Sequence, residues 1–502
     1  MVRTLLFSVA IGATTAIAFS CGNGIAPVND AGGSDTGNGD ASTTFVYSPM
    51  GCAYTVTPTN FGLSESSGNF VDSNGNSTLA LDDTSAPTGD ITPSLVRLGV
   101  GGAVDSSMPG YADPTTTAAF MWETPTQTNA AKVKIGTSMT SITNVSTGYS
   151  WVTPKGLGTT FTYAHAVHVC GLTPGTTYYY QVGGGPTAAE VWSAVQSFTT
   201  VPSTGTVTVG IFGDARDTVS TWQLVAERMQ TIGVAIELIP GDIVDIGGDT
   251  DLWTQWLTAI WVDPMNSSQF LTLGQQMMVP IAGNHEAEAP QFYGNWVIPG
   301  GGSYAGTYAS FNVGNTHFVL IDDSFAALQT DFTQPPASVQ LQWLDADLNR
   351  ANQNRTNVPF IVSLSHRGLF STCLHATDGD VLAARGAMAP IFDKYNVDLV
   401  FNGHDHEYER SNPLKAGNPP TGAPVVGSGT TYVICAGAGA DPYTVGTSPQ
   451  PYSLKHVQYG NGTPYVGSYS VLTLQGTSLT LNAYGLKASG TDDVIDTLTL
   501  TH

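Results

Sequence analysis

Five short polar motifs, each placed where an apolar run ends, constrain this chain more than any other feature. They are Gly213-Asp214, Gly241-Asp242, Gly283-Asn284-His285-Glu286, Ser365-His366 and Gly403-His404-Asp405-His406. A short apolar run that stops at a polar side chain reads as a buried strand with a functional group at its carboxyl end. Layered α/β folds bind ligands just outside those ends. Gly precedes the polar residue in four of the five motifs, where it permits a tight turn and close approach of the backbone to a ligand. The donors are two carboxylates (Asp214, Asp242), one amide oxygen (Asn284) and three imidazoles (His366, His404, His406). Such a mixture suits a borderline cation such as Zn, Mn or Fe better than an all-oxygen Ca site does. One Gly-Asp alone is an ordinary turn. Five motifs in this order, each behind a strand, describe a metal site.

The runs between the motifs define the fold. Val207 to Gly213, Ala235 to Pro240, Met277 to Ala282, His317 to Asp322, Pro359 to Leu364 and Val397 to Asn402 read as strands. Thr218 to Ile232 places Trp222, Val225, Ala226, Met229 and Ile232 on one helix face, and Val339 to Asn349 and Val381 to Tyr395 are further helical runs. Alternating strand and helix implies a layered α/β domain, here 203–502 with its C-terminal strands. Thr431 to Ala436, Ser470 to Leu474 and Leu479 to Tyr484 extend or cover its sheet. Residues 45–202 differ. Their strand-like runs (Thr117 to Trp122, Ala131 to Ile135, Phe161 to Val169, Thr176 to Val182, Val191 to Thr199) lie between Gly, Pro and Asn turns with no helical period, the pattern of a β-sandwich. Within it, Gly171 to Tyr180 resembles the turn-into-strand segment of fibronectin type III domains, where a tyrosine hydroxyl ties back to the corner. Trp122 is expected in the sandwich core.

Composition bounds the partners. The 502 residues carry 39 acids against 16 bases, a formal net charge of -23. So acidic a surface repels nucleic acid. It also repels anionic substrates, so a phosphate site needs local positive charge of the kind bound cations supply. Residues 1–20 read as an export signal: Arg3 precedes the apolar, small-residue stretch Thr4 to Phe19, which is too short to span a membrane. Ala16-Ile17-Ala18 fits signal cleavage, whereas Ala18-Phe19-Ser20-Cys21 resembles a lipobox in which Cys21 is lipidated. The protein is therefore expected outside the cytoplasm, extracellular, periplasmic or as a lipoprotein anchored at a membrane surface. Residues 21–44, rich in Gly, Asn, Asp, Ser and Thr, read as a flexible tether. Besides Cys21 there are Cys52, Cys170, Cys373 and Cys435, an even number that allows disulfides and equally allows buried free thiols.

The ordered motifs resemble those of the calcineurin-like metallophosphoesterases. Gly283-Asn284-His285-Glu286 and Gly403-His404-Asp405-His406-Glu407-Tyr408-Glu409-Arg410 look most like purple acid phosphatases, as does a fibronectin-like module ahead of the layered domain. The resemblance implies a multidomain protein in which the β-sandwich is followed by a four-layer α/β/β/α domain. It implies two metal ions (Fe, Zn or Mn) bridged by Asp242, with Asp214 and His406 on the first and Asn284, His366 and His404 on the second. His285 would face the substrate phosphate. His375 would stand near the leaving group, or else is an ordinary loop histidine. Arg410 is either a substrate contact or a structural ion-pair partner, the second being favoured.

Two positions depart from the family. Purple acid phosphatases carry a ferric-binding tyrosine three residues after the bridging aspartate, where this chain has Asp245. Asp245 either ligates the first metal through oxygen or supports the ligands from outside. Other metallophosphoesterases carry a histidine two residues after the first aspartate, where this chain has Arg216. Arginine stays protonated and cannot ligate. It can grip phosphate oxygens in a bidentate fork, or be a surface charge.

The expected reaction is hydrolysis of a small phosphate monoester, acid phosphatase-like, with the metals clamping the phosphate and lowering the pKa of an attacking water. Alternatives are a phosphodiesterase or nucleotidase on the same centre, and a surface binding module with a vestigial site. Oligomeric state is not legible. Because the phenolate that colours the family is replaced by Asp245, the purified protein should be colourless or weakly coloured. An intense visible absorption band would contradict this.

Overall fold

The apolar alternation of the strands resolves into two stacked sheets in the computed structural model. It describes residues 79–502 apart from 84–85, 103–110, 154, 262–272, 287–288, 300–306, 325–331, 335–336, 444–449 and 461, and the backbone of 45–47, 54–56, 64–66, 69–71 and 78. The export signal and tether, with Cys21, and also Cys52, lie outside the described residues.

In the first sheet Val207–Ile211, Ile236–Pro240 and Met277–Ile281 run parallel. Gly467–Gln475, Ser478–Leu486 and Asp493–Thr501 continue it antiparallel. In the second sheet Thr316–Leu320, Phe360–Leu364, Leu399–Asn402 and Thr431–Cys435 run parallel. Ala309–Val313 flanks one side, Tyr408–Ser411 and Ser453–Val457 the other. Strands alternate their side chains between faces. Val209, Leu238 and Val279 of one sheet therefore share a single core with Phe318, Val362 and Phe401 of the other. The outer face of the first sheet is covered by α1 (Val219–Ile232), α2 (Thr250–Ile260) and α3 (Pro290–Asn295), and that of the second by α4 (Ala337–Gln353) and α5 (Gly379–Tyr395). The result is the expected α/β/β/α stack. Helix α2, absent from the sequence reading, starts at the N-cap Asp249, whose side chain accepts from the Asp251 N–H at 2.9 Å. It buries Trp253, Trp256, Leu257 and Ile260 at helical spacing. Trp256 stacks on Trp222 of α1 with ring centroids 4.5 Å apart.

The N-terminal region is a β-sandwich. A small sheet of Lys132–Gly136, Asn144–Thr147, Thr177–Gly184, Val191–Trp192 and Gln196–Thr199 packs Tyr180 and Phe198 against Phe120 of Thr117–Thr124. Trp122 is fully buried. The Tyr178 hydroxyl accepts from the Thr173 N–H at 2.9 Å, tying strand to corner. The other sandwich sheet does not stop at the layered domain. Ser94–Gly99 pairs antiparallel with Thr117–Thr124 and parallel with Met277–Ile281, so one sheet runs through both parts. The Trp151 ring lies so close to Gly294 that a Cβ there would fall 1.4 Å from it. Cys170 is disulfide-bonded, to a partner outside the described residues, while Cys373 and Cys435 are buried free thiols. Both readings of the cysteines therefore hold, at different positions. No helix among the described residues is long and apolar enough to cross a membrane.

One buried charge runs against the apolar pattern. Glu237, in the middle of Ile236–Pro240, is fully buried and neither carboxylate oxygen has a hydrogen-bond partner among the described residues. Burial pushes its pKa from the ordinary 4.5 up to about 8. The folded state thus keeps a proton that the unfolded chain releases. This contribution is complete below about 4.5 and is lost as pH rises toward about 8. Glu237→Gln should therefore gain on the wild type by ~2–4 kcal/mol between pH 5 and 8 in urea titrations at several pH values. A wild-type-minus-variant difference that stays flat with pH would refute this.

Candidate metal centre

Both sheets deliver polar residues to one edge. Asp214, Asp242 and Asn284 follow the three parallel strands of the first sheet, and His366, His404 and His406 follow Phe360–Leu364 and Leu399–Asn402 of the second. The turns that aim them are strained. Asp214, Asp242 and His404 have φ of 58°, 54° and 73°, a left-handed backbone costing a non-glycine residue about 1–3 kcal/mol. Local bonds hold these turns. The Asp214 N–H donates to the Gly241 carbonyl at 3.0 Å, and the Gly403 N–H to the His366 carbonyl at 2.8 Å. The His404 N–H reaches both Asp214 oxygens at 3.1 Å. Two glycines are required by space. A Cβ on Gly241 would meet His366 Nδ1 at 2.6 Å, and one on Gly283 would meet Asp242 Oδ1 at 2.2 Å.

Beneath the turns lies Glu286, a fully buried carboxylate. It accepts the backbone N–H groups of Asp242, Ile243, Val244 and Gly283 at 2.8–3.1 Å. One side chain thereby staples two loops together. Burial and then the Asp242 charge push its pKa up, to about 7, against those donors.

The side chains converge. Donor atoms of Asp214, Asp242 and His366 all lie within 4.8 Å of one another. His366 Nε2 is 3.2 Å from Asp242 Oδ1 and 2.9 Å from Asn284 Oδ1. His406 Nε2 is 3.5 Å from Asp214 Oδ1, and the His366 and His404 ring centroids are 5.1 Å apart. Nδ1 of His366 donates to the Pro240 carbonyl at 2.8 Å, and Nδ1 of His406 to the Asp441 carbonyl at 2.6 Å. A carbonyl only accepts, so Nδ1 carries the proton and Nε2 of the neutral ring turns a lone pair inward, the arrangement a metal-ligating histidine needs. At His366 burial opposes charge, but Asp242, Asp214 and Asp323 outweigh it and raise its pKa to about 10, so the carboxylates that hold a proton on Nε2 would favour a cation in its place. Burial likewise opposes ionisation of Asp242, and His366 and His285 override it, holding Asp242 well below the carboxylate range. Burial and the nearby His366 charge push His404 well down, leaving its ring neutral. The donor set and its tautomers fit borderline cations.

Of the remaining sequence-selected residues, His285, His375, Arg216 and Asp245 lie at this centre and Arg410 does not. His285 gives Nδ1–H to the Asp245 carbonyl at 2.6 Å, and its Nε2 is 3.8 Å from Asp242 Oδ2. His375 donates its backbone N–H to Asp405 at 3.1 Å and pairs through Nδ1 with Asp378 at 2.8 Å. Its ring is 4.4 Å from that of His404. Arg216 is not a surface charge: its side chain is 10% exposed, with Nε 3.6 Å from Asp242 Oδ2. Asp245 directs Oδ1 at Arg216 Nη1, 2.8 Å away. Arg410 forks onto Asp496 at 2.6 and 2.9 Å, away from these donors. Sequence reasoning missed three contributors. Glu286 lay unused inside a motif. Asp323 takes the N–H groups of His366 and Arg367 at 3.1 and 3.0 Å, and it too follows a strand. Tyr443 stacks on His406 at 3.9 Å, with no local signal to find it by.

Known proteins agree with this architecture. Residues 208–408 match the family described as Calcineurin-like phosphoesterase, and residues 109–200 match Purple acid Phosphatase, N-terminal domain. The layered part of the chain is thus similar to the calcineurin-like phosphoesterases, and the two parts together are built like the purple acid phosphatases, a family with a dinuclear metal centre. Purple acid phosphatase 22 of Arabidopsis thaliana is 31% identical over 258 residues, 49% of this chain and 53% of that protein. Purple acid phosphatase 18 of the same plant is 26% identical over 363 residues, 68% of this chain and 74% of that one. The chain spans about half the length of the first relatives it matches. The solved purple acid phosphatase PPD1 of yellow lupin (Lupinus luteus) shares the fold, with TM-score 0.63 and 17% identity over 82% of this chain and 74% of that one.

Glu286→Gln would put an amide NH2 against backbone donors in a buried pocket. It should cost about 2–4 kcal/mol of stability in denaturant titrations and lower the metal retained after dialysis. Wild-type stability with wild-type retention would show that Glu286 does not organise the loops.

Proposed function

We propose that this chain is a metal-dependent phosphomonoesterase of the acid phosphatase type, acting on small phosphate esters outside the cytoplasm. The observation that carries the reading is the meeting of donors from both sheets at one edge, with Nδ1 of His366 and of His406 engaged by carbonyls behind them so that each Nε2 faces the other donors. Asp242 would bridge two ions (Fe, Zn or Mn), with Asp214 and His406 holding the first and Asn284, His366 and His404 the second. When bound, such a pair supplies Lewis acidity toward phosphoryl oxygens and an attacking water of lowered pKa.

The chain's own groups would do the rest. His285 has committed Nδ1–H to the Asp245 carbonyl, so its Nε2 donates to a phosphoryl oxygen only when the ring is protonated. That stabilises charge developing on phosphorus. His375, held through Nδ1 by Asp378, would protonate the leaving oxygen from Nε2 as general acid. No side chain need act as nucleophile. The net charge of -23 opposes nucleic acid as substrate. Attachment to a membrane through a lipid on Cys21 belongs to the same proposal.

The test is turnover of a chromogenic monoester and its diester analogue with added Mn, Zn or Fe. Monoester turnover in preference to diester is expected, and Asp242→Asn should abolish it. His375→Ala should lose ~10²-fold on an alkyl phosphate and far less on a nitrophenyl ester, whose leaving group needs no proton. Diester turnover alone would replace this reading with a phosphodiesterase. Absence of turnover with any metal would leave a binding module, and equal losses on both esters would remove His375 as the acid.

A further inference from the structure

The two positions at which this chain departs from its family face each other. Arg216 stands where related enzymes have a histidine, and Asp245 where purple acid phosphatases have the metal-binding tyrosine. The two are 29 residues apart in sequence, yet Arg216 Nη1 lies 2.8 Å from Asp245 Oδ1. The guanidinium is also fixed from a second side, by Asp217 at 3.1 Å. Asp217 is itself held in a left-handed turn at φ 65° and accepts from the Asp441 N–H at 3.3 Å. Asp441 is also the residue whose carbonyl orients His406.

That placement carries the guanidinium into the metal centre. Nη2 lies 3.4 Å from His406 Nε2. Nδ1 of His406 is already the donor to Asp441, so the atom facing Arg216 is the lone pair that would ligate the first ion. Nε lies 3.6 Å from Asp242 Oδ2, and this buried Nε–H has no hydrogen-bond partner among the described residues. Burial opposes the charge, but Asp242, Asp217 and Asp214 together keep the group cationic. The other half of the centre is different. Asn284 Oδ1 and His366 Nε2 meet at 2.9 Å, and among the described residues neither of these two side chains bonds to an arginine or lysine.

We propose that Arg216, clamped by Asp245 and Asp217, is a resident cation at the first metal position, making the two positions unequal. The Asn284–His366–His404 side binds its ion tightly, while the Asp214–His406 side binds weakly and exchanges. The proposal rests on the two-metal reading and deepens it. Two cations a few ångströms apart in a half-desolvated site repel strongly, and Arg216 engages a lone pair the ion needs. Arg216 is a positioning residue here, acting through the affinity of the first site. The pairing also accounts for the loss of the tyrosine, since a carboxylate at 245 neutralises the arginine where a neutral phenol would not.

Binding, rather than turnover, tests this. Chelator-stripped full-length protein is titrated with Mn²⁺ by equilibrium dialysis with elemental analysis, and followed by electron paramagnetic resonance. The wild type should take one equivalent tightly and a second at least ~10-fold more weakly. At one equivalent its spectrum should be that of an isolated ion. Arg216→Ala should strengthen the second equivalent by ~10-fold or more and produce a spin-coupled spectrum at two equivalents. Arg216→Lys, which keeps the charge, should leave the second weak. Asn284→Ala should remove the tight equivalent in either background. If Arg216→Ala does not fold, Arg216→Gln carries the same expectation. Two equally tight equivalents in the wild type, or no strengthening in either neutral variant, overturns the proposal while leaving the two-metal reading intact. Failure of every variant, wild type included, to bind Mn²⁺, Zn²⁺ or Fe²⁺ overturns both.

Discussion

A carboxylate from one sheet and an imidazole from the other meet, fully buried, at the edge where the sheets stack. Asp242 and His366 lie 3.2 Å apart, and neither has appreciable contact with water. Charge in such a place is costly unless compensated. Each member therefore alters the other: Asp242 is held ionised, and His366 is drawn toward its cationic form. An edge that so favours positive charge is suited to cations, and much of the surrounding structure keeps it in place. The left-handed turns at Asp214, Asp242 and His404 aim side chains that an ordinary strand ending would point elsewhere. Glu286 gathers the backbone of two loops from below, and Asp323 does the same for the turn at His366. Each device is a buried polar group satisfied by main-chain donors, which makes the geometry stiff rather than adaptive.

That stiffness extends beyond the layered domain. Ser94–Gly99 bonds to strands on both sides, so the sandwich and the sheet that carries half of the candidate centre share one hydrogen-bonded ladder. The tryptophans of α1 and α2 interlock over the same sheet. A binding site is held best by groups on rigid elements whose supporting contacts are themselves packed, and here the sandwich serves as part of that support.

Charge gives the molecule a second theme. A chain with 39 acids and 16 bases has few cationic side chains to place, and one of them, Arg216, stands at the centre among Asp242, Asp217 and Asp245. Arg367 is likewise buried and paired with Asp323 and Asp380, behind the ligand turn rather than in it. These placements concentrate positive charge locally in an otherwise acidic chain, as the proposed phosphate chemistry would require.

Much of this could be read from order along the chain. Helices α1, α4 and α5 and the parallel strands lie within a few residues of where their apolar spacing puts them, because burial on one face imposes a period of 3.6 or 2 on the residues themselves. The donors were legible because each closes a strand. Tyr408–Ser411 was not read as a strand: Tyr-Glu-Arg-Ser is polar, yet all four residues are buried, with Arg410 paired to Asp496 from the last strand. Nor could the chain announce that Arg216 meets Asp245, that Glu286 staples two loops, or that Tyr443 lies on His406. Periodicity reports only what each residue does relative to its near neighbours. Which distant side chains share one desolvated volume is settled when the sheets stack and their loops are forced together, so the polar residues that end the strands were written in the sequence, and the company they keep was decided by the tertiary fold.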